Sequence, residues 1–178
     1  MAHSDKGGRT GRRSADEIDH RSAGERAILM LLRPNTTRQP LARAIARVAL
    51  GLVLAIAGVG HLTAQREEFQ AQVPDWVPLD KDFVVLASGV VEILLGLALI
   101  ALPRYRKLVS WVVAAFFVAV FPGNVHQYVE HIDAFGLDTD TERLVRLFFQ
   151  PVLVVWALFA GTDGNRGSRP TGTHPDSA

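Results

Sequence analysis

Cysteine is absent from the 178 residues. That excludes disulfide staples, thiol-redox chemistry, thiolate zinc sites and cysteine-held iron–sulfur clusters. Net charge is nearly absent as well, with 19 Lys and Arg against 18 Asp and Glu, a formal +1. So neutral a chain carries no electrostatic footprint for nucleic acid, and no nucleic-acid partner is expected. Internal repeats of useful length are missing. The apolar cluster nearest the start, residues 27–32, is six residues long and runs into Arg33 and Pro34. A signal-peptide core needs about 7–15 residues, so no cleavage is expected.

What the chain does have is segregated along its length. Residues 1–40 are rich in Arg, Ser, Gly and Asp, and residues 161–178 in Gly, Ser, Pro and Thr. Both read as disordered tails, the first of them basic. Residues 25–33 leave two readings open: a short basic helix lying on a membrane surface, or a tail with a greasy patch too short to be helical alone.

Between the tails lie four apolar runs. Residues 48–65 carry no charge, residues 83–103 carry only Glu92, residues 108–129 carry none, and residues 144–160 carry only Arg146. About 20 apolar residues cross a hydrocarbon core about 30 Å thick. Soluble core helices are charged on at least one face over such lengths. The composition therefore predicts an all-α integral membrane four-helix bundle over residues 41–160, with spans near 44–63 (Arg47 reaching outward to the surface), 83–103, 108–128 and 144–160.

Charge placement supplies a second argument. Residues 1–47 are net +5, the loop 64–82 net −3, the loop 103–107 net +3 and the loop 122–143 net −4. Basic residues alternate sides, and the positive-inside rule then predicts both termini in the cytoplasm. Trp111, Trp156 and Tyr105 fall at the inner interface and Tyr128 at the outer one, where aromatic rings anchor. Trp76, between Pro74 and Pro78, is a further anchor on the outer loop or part of a stiff segment capping the bundle.

Strongly polar groups inside a span are costly, so each is a functional candidate. At about 1.5 Å per residue, Glu92 lies about 13 Å below the outer boundary and Asn124 about 6 Å below it. His61 closes the first span, His126 sits at the rim, and Arg146 and Gln150 open the fourth span on one helical face. All lie between the midplane and the outer rim, with the inner half apolar. Pro122 and Pro151 are expected to break their helices in the same half, freeing the carbonyls of Val118 and Leu147. Irregular backbone at that depth needs protein or a wet cavity around it. The pattern predicts a polar pocket near the outer side, lined by all four helices. Glu92 is either a hydrogen-bonded carboxylic acid or the partner of Arg146 or His61, since buried charges must be paired. Gly51 with Ala55, and Ser88 with Glu92 and Gly96, read as helix-packing faces. His126, Glu130 and His131 do not share one face, so no metal site is assigned. Nothing around His61 and His126 is diagnostic of haem.

Five features together resemble the DoxX-like family of small four-helix membrane proteins: Gly60 and His61; Val73, Pro74, Trp76, Val77 and Pro78; Ser88 to Glu92 with Gly96; Phe121, Pro122, Gly123 and Asn124; and Arg146, Leu147 and Gln150 before Trp156. They span residues 42–160. Two departures stand out: Gly123 replaces the usual alanine between Pro122 and Asn124, and Pro151 follows Gln150 rather than preceding it. The resemblance implies a bacterial or archaeal plasma-membrane protein, associated with quinone-linked respiratory oxidation or redox-stress complexes. A quinone is then the implied ligand, and redox proteins or further copies of the chain the implied partners beside the lipid bilayer.

Three functions follow as expectations. In the first, the protein is an accessory subunit of a redox assembly, without catalytic activity of its own. His61, Asn124, His126, Arg146 and Gln150 would then offer hydrogen bonds to a head group, with Glu92 passing a proton. In the second, it is a non-catalytic assembly or chaperone subunit whose polar residues only fix helix packing. In the third, it is a small transporter for an anion or weak acid, with Arg146 as selector.

Overall fold

The computed structural model describes residues 23–36, 38–136 and 139–163. Helix α1 occupies residues 23–32. The long helices are α2 (Leu41–Leu62), α4 (Lys81–Ala101), α5 (Arg106–Val129) and α6 (Asp140–Gly161), with a short α3 (Arg66–Gln70) between the first two and a 3-10 turn at Pro103–Tyr105. Each boundary has a local cause. Pro40 precedes α2, the Asp80 side chain accepts from the Phe83 amide, and Thr139 with Glu142 forms a reciprocal capping box that starts α6. Pro103 stops α4, because proline disfavours helical geometry in the residue before it.

All four long helices are long and apolar enough to cross a membrane. A 22-residue helix such as α2 rises about 33 Å. Large apolar side chains such as Ile56, Leu94, Phe148 and Val155 point outward and stay exposed. In water such a surface would drive aggregation; in a bilayer it faces chains as apolar as itself. The protein is an all-α, multi-pass membrane protein. Its inner core joins Leu50, Leu54, Leu99, Val113, Phe117 and Ala157.

The tightest packing is between the antiparallel helices α2 and α4. A Cβ on Gly58 would lie 2.5 Å from the Gly89 carbonyl oxygen, and one on Gly96 would lie 2.5 Å from that of Gly51. Small residues let two backbones touch where lipid supplies no hydrophobic drive for association. The packing faces predicted from Gly51, Ala55 and Gly96 are realised in this seam.

Helix ends define two poles. The loop end carries α3, the 63–80 segment and residues 130–136 and 139; the terminal end carries residues 33–36, 38–40, 102–105 and 162–163. Here the structure corrects one expectation, since the terminal half of the bundle is not free of strong polar groups. Arg47, expected to reach outward, is buried; it donates to the carbonyl oxygens of Leu99 and Ile100 and to Gln39. Those two carbonyls belong to the last turn of α4, which lacks intrahelical donors. An arginine satisfying them gains more than one reaching for the surface. Arg106 is buried too and donates to Asp163 Oδ1 (2.6 Å), while Lys107 meets Asp163 Oδ2 at 2.6 Å. Burial alone would raise the Asp163 carboxyl. The hydrogen bonds from Lys107, Arg106 and Asn35 outweigh that and hold it well below the usual carboxylate range.

Asp163 and the α1 segment lie in stretches expected to be disordered. The reason is tertiary: Asn35 donates from its backbone to Arg104 O (2.7 Å) and from its side chain to Asp163 (2.6 Å). Those bonds pin the chain just after α1. Of the tails, residues 1–22, 37 and 164–178 lie outside the described ones.

The prolines bring a second correction. Helices α5 and α6 run through Pro122 and Pro151 without interruption. Beside the Pro122 turn, α6 adds a bond of its own to α5, as Gln150 Nε2 donates to Phe117 O at 2.5 Å. Replacing Gly58 or Gly89 by alanine forces the seam apart, at a cost of about 1–3 kcal/mol. Thermal unfolding in detergent is expected to register that loss, whereas Gly24→Ala, with nothing within 4 Å of the new methyl, leaves the midpoint unchanged or raised.

Candidate functional site

Gly89 does more than admit α2. A Cβ there would lie 2.7 Å from His61 Cβ, so its absence lets the His61 ring lie along α4. Val85, Ser88 and Glu92 share that face of α4 at helical spacing. His61 is 7% exposed and Glu92 8%. His61 Nδ1 lies 2.9 Å from Ser88 Oγ and 3.3 Å from Val85 O. The Ser88 hydroxyl itself donates to Val85 O (2.9 Å). A carbonyl only accepts, so Nδ1 carries the hydrogen and Nε2 is left with its lone pair. Nε2 faces Glu92 Oε2 at 3.6 Å. That oxygen is buried and has no hydrogen-bond partner among the described residues. One proton placed between the two atoms satisfies both. The arrangement is a buried acid–imidazole pair able to hold a single proton on either member.

The pair sits beneath a cavity of about 180 Å³ at the loop end. His61 and Ser88 form part of its wall, with Phe69 and Gln72 from the α3 region, Trp76 from the loop, and Pro122 and Gly123 from α5. Phe69 packs on the imidazole with ring centroids 3.5 Å apart and planes tilted by 37°, and Phe135 meets Phe69 edge-on at 4.6 Å. Arg146 lies over the Phe135 ring at 4.1 Å, a cation–π contact. With its oxygen toward the guanidinium, the Gln72 amide accepts from Arg146 Nη2 (2.7 Å) and Nε (3.3 Å). The same amide lies 2.6 Å from Gln127 Oε1. Phe135 is held at φ 61°, the left-handed region, which costs a branched or bulky residue energy that its neighbours must offset.

The six residues singled out in the sequence therefore fall into groups. His61 and Glu92 are together. Asn124 and Gln150 are together, through a 2.9 Å hydrogen bond. Arg146 joins the imidazole through Phe135 and Phe69 rather than through Glu92, so of the partners considered for Glu92 the histidine is the one in place. His126 stands apart, lining a shallow depression with Trp76 and Glu130. Among the anchors, Trp76 and Trp111 are exposed and Tyr128 is half-buried. Trp156 instead spends its indole N–H on Ala46 O (2.9 Å), clasping α6 to α2. Among the described residues, no three His, Asp or Glu side chains gather as a metal site would require.

Sequence reasoning missed several participants. Ser88 was legible only as a small packing residue. Phe69, Gln72, Gln127 and Phe135 come from loops and helix ends, where no periodicity marks them. Arg143 was counted as a loop charge, yet it is buried against Ile132 O, Asp133 and Asp140 and fixes the segment that carries Phe135.

The fold and this site define a small multi-pass membrane protein with a polar chamber at one end of its bundle. The sequence profile of a family described as a domain of unknown function, DUF8561, matches residues 50–160, and the chain belongs to that family. The matched stretch contains all six candidates. No curated protein and no solved structure matches the chain. Gln150→Leu strips Asn124 of its partner, and a loss of about 1–3 kcal/mol is expected in denaturant titration. The double change with Asn124→Ala should cost less than the sum of the singles; additivity would mean that the two amides do not interact.

Proposed function

We propose that this DUF8561 protein is an accessory subunit of a membrane redox assembly, similar in role to the DoxX-like proteins its motifs resemble. Its loop-end cavity takes the ring of a quinone. The observation that carries this reading is the His61–Glu92 pair: a buried carboxyl oxygen with no hydrogen-bond partner among the described residues, facing an imidazole that lines the cavity. A cavity of about 150 Å³ holds a benzene ring, so 180 Å³ suits a single substituted ring. The walls are mostly apolar, with Phe69 and Trp76 for stacking and few polar groups, as a ring-binding site requires.

Reduction of a quinone to a quinol takes two electrons and two protons. The electrons come from a redox partner. His61 is placed to hand the pair's one proton to a carbonyl oxygen; the second proton, and the one that reloads the pair, come from water at the loop end. Basic residues gather at the terminal end, so the positive-inside rule directs the cavity away from the cytoplasm of a bacterial or archaeal plasma membrane.

A second reading, a non-catalytic assembly subunit, draws on a different observation: Asn124 donates to Gln150, Gln150 to Phe117 O and Gln127 to Ile132 O, while Gln72 accepts from Arg146, all within the bundle. Transport of an anion or weak acid fits less well, because Leu50, Leu54, Leu99, Val113 and Phe117 pack the way toward the terminal end.

Mild-detergent purification followed by mass spectrometry and ultraviolet absorbance of what stays bound separates these readings. The redox reading expects quinone to co-purify and Glu92→Gln to keep the quinone while lowering partner-driven reduction about a hundredfold, the lower range for a lost proton donor. A purified protein free of quinone, with Glu92→Gln indistinguishable from wild type, contradicts it and favours the assembly role.

A further inference from the structure

A second cavity, of about 400 Å³, lies at the opposite pole in the cleft between α5 and α6. Its walls are Lys107, Ser110 and Trp111 on one side and Leu158, Gly161 and Asp163 on the other. Ser110 is the unusual member. It is 1% exposed, and its hydroxyl has no hydrogen-bond partner among the described residues. Gly161 explains the burial, since a Cβ there would lie 2.5 Å from Ser110 Cβ. Helix α6 thus presses on the serine with no side chain that offers an acceptor. An unsatisfied buried hydroxyl is costly enough to need an explanation.

Lys107 supplies the charge. Its ammonium has three donors, and Asp163 Oδ2 is its partner at 2.6 Å. The side chain is 43% exposed, leaving donors for a ligand at the rim. The surroundings favour an anion. Arg33, Arg38, Arg43, Arg47, Arg104, Arg106 and Lys107 stand in the described segments of this end between residues 33 and 107, against the single carboxylate of Asp163. Trp111, exposed, and Leu158 form an apolar wall beside these polar groups. That juxtaposition matches the boundary between headgroups and acyl chains, and basic clefts between membrane helices bind anionic lipids.

We infer that this cleft binds the phosphate of an anionic phospholipid. Lys107 is the cation, the Ser110 hydroxyl donates to a phosphate oxygen, and Trp111 with Leu158 flanks the start of an acyl chain. Asp163 remains in place as counter-ion to Arg106. The site is independent of the quinone reading, and failure of either leaves the other standing.

The test uses the full chain in a neutral detergent, titrated separately with short-chain phosphatidylglycerol, short-chain phosphatidylcholine and inorganic phosphate, and read by the shift in thermal midpoint. Phosphatidylglycerol is expected to raise the midpoint, and the other two to have little effect. Lys107→Gln and Ser110→Ala each weaken the apparent phosphatidylglycerol affinity about tenfold, the effect of one charge-assisted hydrogen bond; Lys107→Arg retains it. The serine variant is diagnostic because deleting a hydroxyl with no ligand to serve leaves the lipid response unchanged. Equal shifts with phosphatidylcholine, a shift reproduced by inorganic phosphate alone, or wild-type titrations in both variants would overturn the assignment.

Discussion

Direct backbone contact between α2 and α4, at Gly51 with Gly96 and at Gly58 with Gly89, is the constraint on which the rest of the molecule depends. In a bilayer, helices gain little from hiding apolar surface from one another. Close van der Waals approach and the hydrogen bonds that it permits hold them together. Here the seam sets the distance at which His61 meets α4. Were the two axes a methyl group further apart, the imidazole would lose Val85 O and Ser88, and the Glu92 carboxyl would be left alone at membrane depth. The packing and the candidate chemistry are one structural fact seen at two scales.

The bundle handles its two ends differently. At the terminal end, arginines turn inward to finish what the helices leave open: Arg47 completes the last turn of α4, and Arg106 with Lys107 gathers Asp163. At the loop end, an aromatic chain from Arg146 through Phe135 and Phe69 reaches the imidazole, so α6 bears on a residue of α2 through two loops. One end is tied together by ion pairs beside the cleft between α5 and α6. The other keeps a cavity, with a proton-bearing pair below it.

The architecture was legible because a bilayer imposes length and polarity rules that survive without any alignment. Four uncharged or singly charged runs yield four helices, and Gly51, Ala55 and Gly96 announce a packing face. Glu92 and His61 were legible as candidates because a charge in a span is costly whatever surrounds it. Their pairing was not, since Arg146 was an equally good partner on charge alone, and the contacts that hold it elsewhere, with the Phe135 ring and the Gln72 amide, come from loop residues. Arg47 was misread for a similar reason. Snorkelling and capping a neighbouring helix demand the same side chain, and the difference lies in where α4 ends. Helices α5 and α6 also run unbroken through Pro122 and Pro151, which local sequence rules alone do not foretell.

The most direct test of the central claim is the nitrogen NMR spectrum of His61, labelled in the intact protein in lipid. The account predicts a hydrogen on Nδ1, held by Ser88 and Val85, and an Nε2 resonance that moves when Glu92 is changed to Gln. A neutral ring protonated at Nε2, with a spectrum indifferent to the Glu92 side chain, would contradict it.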